Sequence, residues 1–167
     1  ILPIEKIPTS LETIIIGGEV CPVETVRLWS KKFRIVNVYG PTEVTVCSSL
    51  VVCEPNWDKP LIGNPIPNRE FSILDENLIP VKEGESGELY LSGVGLAKEY
   101  LNLPALTKEK FPFLNGTRFY KTGDRVLKHS SLEIEFLGRM DRQFKHKGNL
   151  LEPMEVERAL AAYPGIS

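Results

Sequence analysis

The sequence predicts an α/β fold joined to a β-rich layer that resembles a distorted barrel. An apolar run, a helix-spaced apolar pattern and a second apolar run follow one another within residues 13–38, which is typical of a strand–helix–strand unit. Beyond residue 54, prolines and glycines separate short alternating segments, which favours several short strands over long helices. The 167 residues are enough to bury a core, and 42% apolar and 25% charged residues are ordinary values for a globular protein.

The strand–helix–strand unit begins with the β-branched run Thr13–Ile16, which ends at two glycines. A helix is predicted after Pro22, because the fixed φ of proline suits a first helical turn. Residues 34–38 form the second strand, and the short connections predict that the two strands are parallel. The valine-rich segment Val44–Cys53 is a third candidate strand.

In the β-rich layer, strands are predicted at Glu70–Leu74, Gly87–Gly93 and Leu132–Leu137. Thr107 is expected to cap a short helix that ends near Phe111.

A last helix is predicted to begin at Glu152-Pro153 and to stop at Pro164-Gly165, with apolar positions spaced by three and four. Three regions follow from these patterns: residues 1–53 as the end of an α/β subdomain, 54–140 as the barrel-like part, and 141–167 as the start of a small α+β domain.

Composition narrows the classes of function. Twenty Lys and Arg against 22 Asp and Glu give a net charge of −2, so neither a nucleic acid nor a membrane is expected as a partner. No apolar run reaches the ~20 residues of a membrane span, and no export signal is recognisable.

Three cysteines suit neither a zinc site nor a closed disulfide framework, and reduced thiols in the cytoplasm are expected. With two histidines, metal chemistry would rest on carboxylates and phosphate oxygens. The chain opens without Met, and we expect it to be a piece of a longer polypeptide.

The segment Asn37–Glu43 lies where a parallel strand ends, which is where α/β sheets bind ligands. Gly40 lets a ligand approach the backbone, and Tyr39 could stack on a base. The Thr42 hydroxyl suits a phosphate oxygen, and the Glu43 carboxylate suits Mg²⁺. The alternative interpretation is a plain turn with a Thr-Glu pair on the surface.

Two further segments carry candidate polar groups. In Tyr120–Asp124, Asp124 could accept hydrogen bonds from both ribose hydroxyls, or could be an ordinary turn residue after a glycine. In Phe136–Asp141, the alternative to a binding role is a strand end with a solvated Arg-Asp pair.

These three segments, together with Gly87–Ala97 between the first two, resemble in order the core motifs of adenylate-forming enzymes. The nearest group is the amino-acid adenylation domain of nonribosomal peptide synthetases, and the likeness covers nearly the whole chain. It implies a ligase that condenses a carboxylic or amino acid with Mg-ATP to an acyl-adenylate and pyrophosphate. The acyl group then passes to the phosphopantetheine thiol of a peptidyl carrier domain. Holding the acid in line with the α-phosphate is a task of positioning and electrostatics.

The resemblance also implies a role for individual residues. Asn37 would bond the adenine amino group, Tyr39 would stack on the ring, and Thr42 would contact the α-phosphate. Glu43 would hold Mg²⁺, and Asp141 would be the interdomain hinge. The remaining nucleotide contacts would come from the ribose-binding residues and from the walls of the adenine slot: Asp124, Arg139, Gly18, Glu19 and Gly40. The acyl pocket would be lined by five small or apolar residues: Ile15, Gly17, Val38, Val46 and Cys47.

Parts of the family pattern are not found in this sequence. A Gly/Ser/Thr-rich phosphate loop, a partner for the substrate amino group and a late catalytic lysine do not occur in it, so we expect it to need the rest of the adenylation domain for activity. Lys147 and Leu150 stand where the family usually has arginines, which puts the usual docking of the small domain in doubt. A stand-alone aryl, fatty-acyl or D-alanyl-carrier ligase and a non-catalytic nucleotide-binding relic are the alternatives.

Overall fold

A parallel strand pair with a crossing helix opens the fold. The computed structural model describes residues 7–130, 133–141, 143–146, 149–151 and 153–161. Strand β1 (Thr13–Gly17), helix α1 (Val23–Ser30) and strand β2 (Arg34–Tyr39) form this unit, and β1 pairs with β2 in parallel. The predicted strand–helix–strand unit is therefore confirmed.

The third strand is shorter than predicted. Strand β3 covers Ser49–Cys53 and runs antiparallel to β2, so the prediction of a strand from Val44 is wrong at its first half. Thr42–Val44 forms a single 3₁₀ turn, and the next two residues, Thr45 and Val46, have left-handed φ angles of 63° and 68°. A strand cannot continue through that conformation, which β-branched residues rarely adopt. Strand β4 (Asn64–Pro65) completes a first sheet in the order β1-β2-β3-β4.

The second sheet is antiparallel and forms the barrel-like part. It contains β5 (Arg69–Leu74), β6 (Ser86–Gly93), β7 (Phe113–Leu114) and β8 (Thr117–Ser130), in the order β5-β6-β8-β7, and β9 (Glu133–Arg139) pairs with β8. The three strands predicted here are present as β5, β6 and β9, and Leu132 lies outside the described residues. The predicted fold class, an α/β part followed by a β-rich layer, is confirmed.

The longest strand, β8, runs through Gly123, whereas the sequence around this glycine predicts a turn. Glu88 of β6 faces Arg125, whereas Tyr90 faces Lys121, so three residues of β8 lie opposite one of β6. Gly123 takes a φ of 74° within this bulge, which allows the strand to continue with a local bend.

Helix α2 (Pro104–Lys110) begins before Thr107, so the prediction that Thr107 caps it is wrong. Proline opens the helix instead, as suits a first turn. Thr107 lies inside, where its hydroxyl donates to the Leu103 carbonyl at 3.0 Å and accepts from the Tyr100 amide at 2.9 Å.

Two apolar clusters form the core. One lies between α1 and the first sheet around Val26 and Ile35, and the other lies in the second sheet around Leu89 and Val126. The segment 60–62 joins the sheets, since the Ile62 amide donates to Ile134 and the Pro60 carbonyl accepts from Phe136, both at 2.9 Å. The segment is also tied to β2, because Asn37 Nδ2 donates to the Leu61 carbonyl at 2.8 Å.

The last elements are a two-stranded hairpin and a helix: β10 (Phe144–His146), β11 (Asn149–Leu151) and α3 (Pro153–Ala161). The predicted final helix is present. Its expected first residue Glu152, its stop at 164–165, and Lys147 lie outside the described residues. Among those that are described, no helix combines the length and the apolar character of a membrane crossing.

Candidate nucleotide-binding site

A cavity of about 450 Å³ opens between the two sheets. It lies beyond the carboxyl ends of the parallel strands β1 and β2, the usual position for a ligand in an α/β sheet. The seven residues expected to contact the adenine and the ribose line it: Gly18, Glu19, Asn37, Tyr39, Gly40, Asp124 and Arg139. Residues separated by more than a hundred positions thus meet around one space.

The apolar part of the cavity wall was missed by sequence reasoning. It includes Ile16, Trp57, Ile62 and Phe136, and Cys21 also lines the space. Their signal in the sequence is ordinary core hydrophobicity, which does not distinguish a cavity wall from a core.

Asp124 is the central polar group. It is 6% exposed, and its two oxygens accept from different sheets: Tyr39 donates to Oδ2 at 2.5 Å, and Arg139 donates to Oδ1 at 2.8 Å. Burial and the neighbouring Asp124 carboxylate raise the pKa of Tyr39 well above its ordinary value, so the phenol keeps its proton and remains a donor. Asp124 is therefore a buried cavity residue rather than an ordinary turn residue.

Arg139 connects the cavity to Asp141. Its guanidinium donates to both carboxylate oxygens of Asp141, at 2.9 and 2.5 Å, to the side chain of Gln143 at 2.6 Å, and to the Thr122 carbonyl at 2.7 Å. Burial alone would lower the pKa of Arg139, but Asp141 and Asp124 raise it above its ordinary value. With a side chain only 16% exposed, Arg139 is a fixed cation rather than half of a solvated pair.

Asn37 lines the cavity, and one hydrogen bond defines the orientation of its side-chain amide. Its Nδ2 donates to the Leu61 carbonyl at 2.8 Å, and a carbonyl can accept only from the amide nitrogen, which fixes the orientation of the amide. The acceptor atom of the side chain is therefore Oδ1, the group that an exocyclic amino group requires.

The turn after Gly40 carries Thr42 and Glu43 beside the cavity, although neither lines it. Thr42 is exposed and Glu43 is half-buried. The Tyr100 hydroxyl donates to Glu43 Oε1 at 2.6 Å, and the Ala97 amide donates to the Glu43 carbonyl at 2.7 Å. The guanidinium of Arg69 donates to the carbonyl of Val44, so the turn is held from the second sheet.

The five residues expected in the acyl pocket do not form one enclosed space within the described residues. Gly17 and Val38 are cross-strand neighbours, and Val38 also lines the cavity. Ile15 shares their face of the first sheet, because side chains alternate along a strand. It is 68% exposed, and Val46 is 74% exposed. Cys47 lies beside Val46 in the turn, half-buried.

Within the described ranges, no group of three or more His, Cys, Asp or Glu side chains could hold a metal ion. Mg²⁺ commonly uses one or two carboxylates together with substrate phosphates and water. Glu43, half-buried and held by Tyr100, is a carboxylate of the required kind.

Comparison with known proteins gives a consistent picture. The family described as AMP-binding enzyme matches residues 4–101. Tyrocidine synthase 2 of Brevibacillus parabrevis is 43% identical over 166 residues, which cover 95% of this chain and 4% of the synthase. Novobiocin biosynthesis protein H of Streptomyces niveus is 41% identical, over 94% of this chain and 27% of its own length. The chain thus spans a small part of these curated relatives.

Solved structures share the fold. Holo-PA1221, described as a nonribosomal peptide synthetase protein containing adenylation and carrier (PCP) domains bound to a vinylsulfonamide inhibitor, superposes with a TM-score of 0.87 at 32% identity, over 94% of this chain and 29% of that one. The adenylation domain AlmE of Vibrio cholerae, in complex with glycyl-adenosine-5′-phosphate, superposes with a TM-score of 0.82 at 29% identity, over 92% of this chain and 32% of that one.

Proposed function

The chain belongs to the AMP-binding enzyme family, and from that premise we propose that it supplies the nucleotide-binding part of a domain that adenylates a carboxylic acid. The intact domain converts an amino acid or a related acid and ATP to an acyl-adenylate and pyrophosphate. It then passes the acyl group to the phosphopantetheine thiol of a carrier domain, forming a thioester and releasing AMP.

The observation that carries this proposal is the convergence of the seven residues expected to contact the adenine and the ribose on one cavity of about 450 Å³. That volume lies within the usual range for small-molecule sites. The cavity combines a phenol ring from Tyr39, an oriented acceptor from Asn37 and a buried carboxylate from Asp124. An adenosine needs these three groups: a flat surface for the base, an acceptor for its amino group, and a carboxylate for the ribose diol.

The chemical step takes place at the turn beside the cavity. We assign Thr42 to an oxygen of the α-phosphate, since its exposed side chain lies two residues after Gly40, which lines the cavity. We assign Glu43 to Mg²⁺, which neutralises phosphate charge when it is bound. The residues of this chain position the nucleotide and fix charge around it, which is most of what a phosphoryl-centred reaction asks of a protein.

Two similar solved structures support the proposed adenylate intermediate and the proposed carrier domain. Holo-PA1221 is described as containing adenylation and carrier domains, and the AlmE structure is described as holding a glycyl adenylate. We therefore propose an acid bound as its adenylate and a carrier domain as the partner of the intact protein.

Replacement of Asp124 tests the proposal in the intact protein. Asp124→Ala is expected to lower kcat/KM for ATP in ATP–pyrophosphate exchange by at least ~10-fold, because a hydrogen bond to a charged group contributes roughly 1.5–3 kcal/mol. Asp58→Asn, an exposed carboxylate outside the cavity, is the control and should leave exchange unchanged. Urea unfolding of both variants separates lost binding from lost folding.

The outcomes distinguish the alternatives. Exchange by Asp124→Ala within twofold of the parent would contradict the ribose assignment. Retained ATP binding by calorimetry, without exchange for any common amino, keto, hydroxy, aryl or fatty acid, would instead support a non-catalytic nucleotide-binding relic.

A further inference from the structure

We propose that Tyr100 is a positioning residue for Glu43, holding the carboxylate in the orientation in which it binds the divalent cation. This inference rests on the proposed function, in which Glu43 is the protein ligand of Mg²⁺. Neither the spacing of the motifs nor the cavity itself points to Tyr100, which lies 57 positions away from Glu43.

The contact holds Glu43 at two points. The Tyr100 hydroxyl donates to Oε1 at 2.6 Å, while the Ala97 amide donates to the main-chain carbonyl of Glu43 at 2.7 Å. A segment of four residues thus fixes both the backbone and the side chain of Glu43. Because Oε1 is engaged by a donor from the segment between β6 and α2, the rotation of the carboxylate is restricted.

Tyr100 is itself held firmly. Its amide donates to Thr107 Oγ1 at 2.9 Å, and its ring packs against Phe111 with 5.7 Å between centroids. Phe111 packs in turn on Tyr120 at 5.2 Å, and both of these rings are buried in the core. Packing against these buried rings therefore fixes the position of the Tyr100 hydroxyl.

The turn that carries Glu43 has a strained backbone, so contacts from other segments help to hold it in place. Thr45 and Val46 follow Glu43 with left-handed backbone angles, which is a strained conformation for β-branched residues. Partners that orient a metal ligand from outside the coordination sphere typically change metal affinity or activity 10–100-fold when they are removed. Tyr100 stands in that relation to Glu43.

The test uses Tyr100→Phe in the intact protein, which removes the hydroxyl and keeps the ring against Phe111. We expect the Mg²⁺ concentration for half-maximal ATP–pyrophosphate exchange to rise about 10-fold or more. Binding of Mn²⁺ in the presence of ATP, followed by electron paramagnetic resonance, should weaken by a similar factor. Glu43→Asp, which withdraws the carboxylate from the hydroxyl by one methylene, should give a rise in the same direction.

Tyr90→Phe is the matched control, because Tyr90 is a buried tyrosine whose hydroxyl donates to the carboxylate of Glu88 at 3.4 Å. It should leave the Mg²⁺ requirement within twofold of the parent. In a double-mutant cycle, Tyr100→Phe combined with Glu43→Gln should cost no more than Glu43→Gln alone, since both act through one ligand.

The results separate the two assignments. If Glu43→Gln leaves the Mg²⁺ requirement unchanged, the assignment of Glu43 in the proposed function fails. If Glu43→Gln raises it while Tyr100→Phe leaves it within twofold, or if the two effects simply add, the positioning role of Tyr100 is overturned. Lower activity of Tyr100→Phe at an unchanged Mg²⁺ requirement overturns it as well.

Discussion

The substitution Gly123→Ala measures how much the hydrogen bonds of Arg139 contribute to the free energy of unfolding and to ATP binding. Gly123 lies in the β8 bulge with a φ of 74°, and a methyl group there would come within 2.8 Å of Arg139 Nη2 and 2.9 Å of Asp141 Oδ2. Gly84 provides a matched control. Its φ is 85°, and a methyl group there would meet no heavy atom within 4 Å.

Both substitutions strain the backbone, but only Gly123→Ala is expected to break a hydrogen bond as well. Placing alanine in the left-handed region costs about 1–2 kcal/mol at either position. At Gly123 the methyl group would also displace the tip of Arg139 or of Asp141, and we expect that shift to break one hydrogen bond between charged groups, about 1.5–3 kcal/mol more. We therefore expect the free energy of unfolding to fall by about 1–2 kcal/mol for Gly84→Ala and by about 2.5–5 kcal/mol for Gly123→Ala.

Urea unfolding of the intact protein measures both losses, and the KM for ATP in pyrophosphate exchange reports on the cavity. Gly123→Ala should raise that KM because Arg139 and Asp124 line the cavity, whereas Gly84→Ala should not. Equal losses of stability in the two variants, together with an unchanged KM, would refute the reasoning, because Arg139 would then be free to move at no cost.

Two further predictions concern alkaline stability and the choice of acid. Burial and the charge of Glu88 raise the pKa of Tyr90 from 10.0 to about 12, so the folded protein keeps a proton that the unfolded chain releases. The resulting contribution to the free energy of unfolding is complete below pH 10 and declines as the pH rises toward 12. Urea unfolding at increasing pH should therefore show a shallower decline of this free energy for Tyr90→Phe than for the parent. Identical slopes in the two proteins would contradict the prediction. Ile15 and Val38 offer neither charge nor a strong donor, so exchange profiling should show a preference for a medium-sized apolar acid, and a clear preference for Asp, Glu, Lys or Arg would refute the pocket assignment.

Local patterns predicted those parts of the fold that depend on local spacing. The parallel pair β1 and β2 followed from two apolar runs around an amphipathic helix, and the segment Asn37–Glu43 was recognisable as a candidate ligand site from its place at the end of a strand. Short motifs of this kind specify their own backbone through Gly40 and similar turn residues, so a single chain is sufficient to recognise them.

The rest depended on contacts between distant segments. Gly123 has the local signature of a turn, and only the pairing of β8 with β6 and β9 makes it a bulge. The valine-rich segment after Glu43 has strand propensity, yet the bonds from Arg69 to Val44 and from Thr45 to Gly95 hold it in a turn. Propensity gives way to tertiary contacts at such places.

The Asp124 carboxylate shows why the cavity forms only when the two sheets are packed together. Tyr39 reaches it from β2, and Arg139 reaches it from β9, the strand paired with β8. A buried carboxylate is stable only when its oxygens are satisfied, so separation of the sheets would leave Asp124 without a donor from one side. The polar groups that suit a ribose are therefore the same groups that favour docking of the sheets, and each sheet supplies part of the surface that a nucleotide would contact. The geometry of the cavity thus follows from the packing of the two sheets against each other.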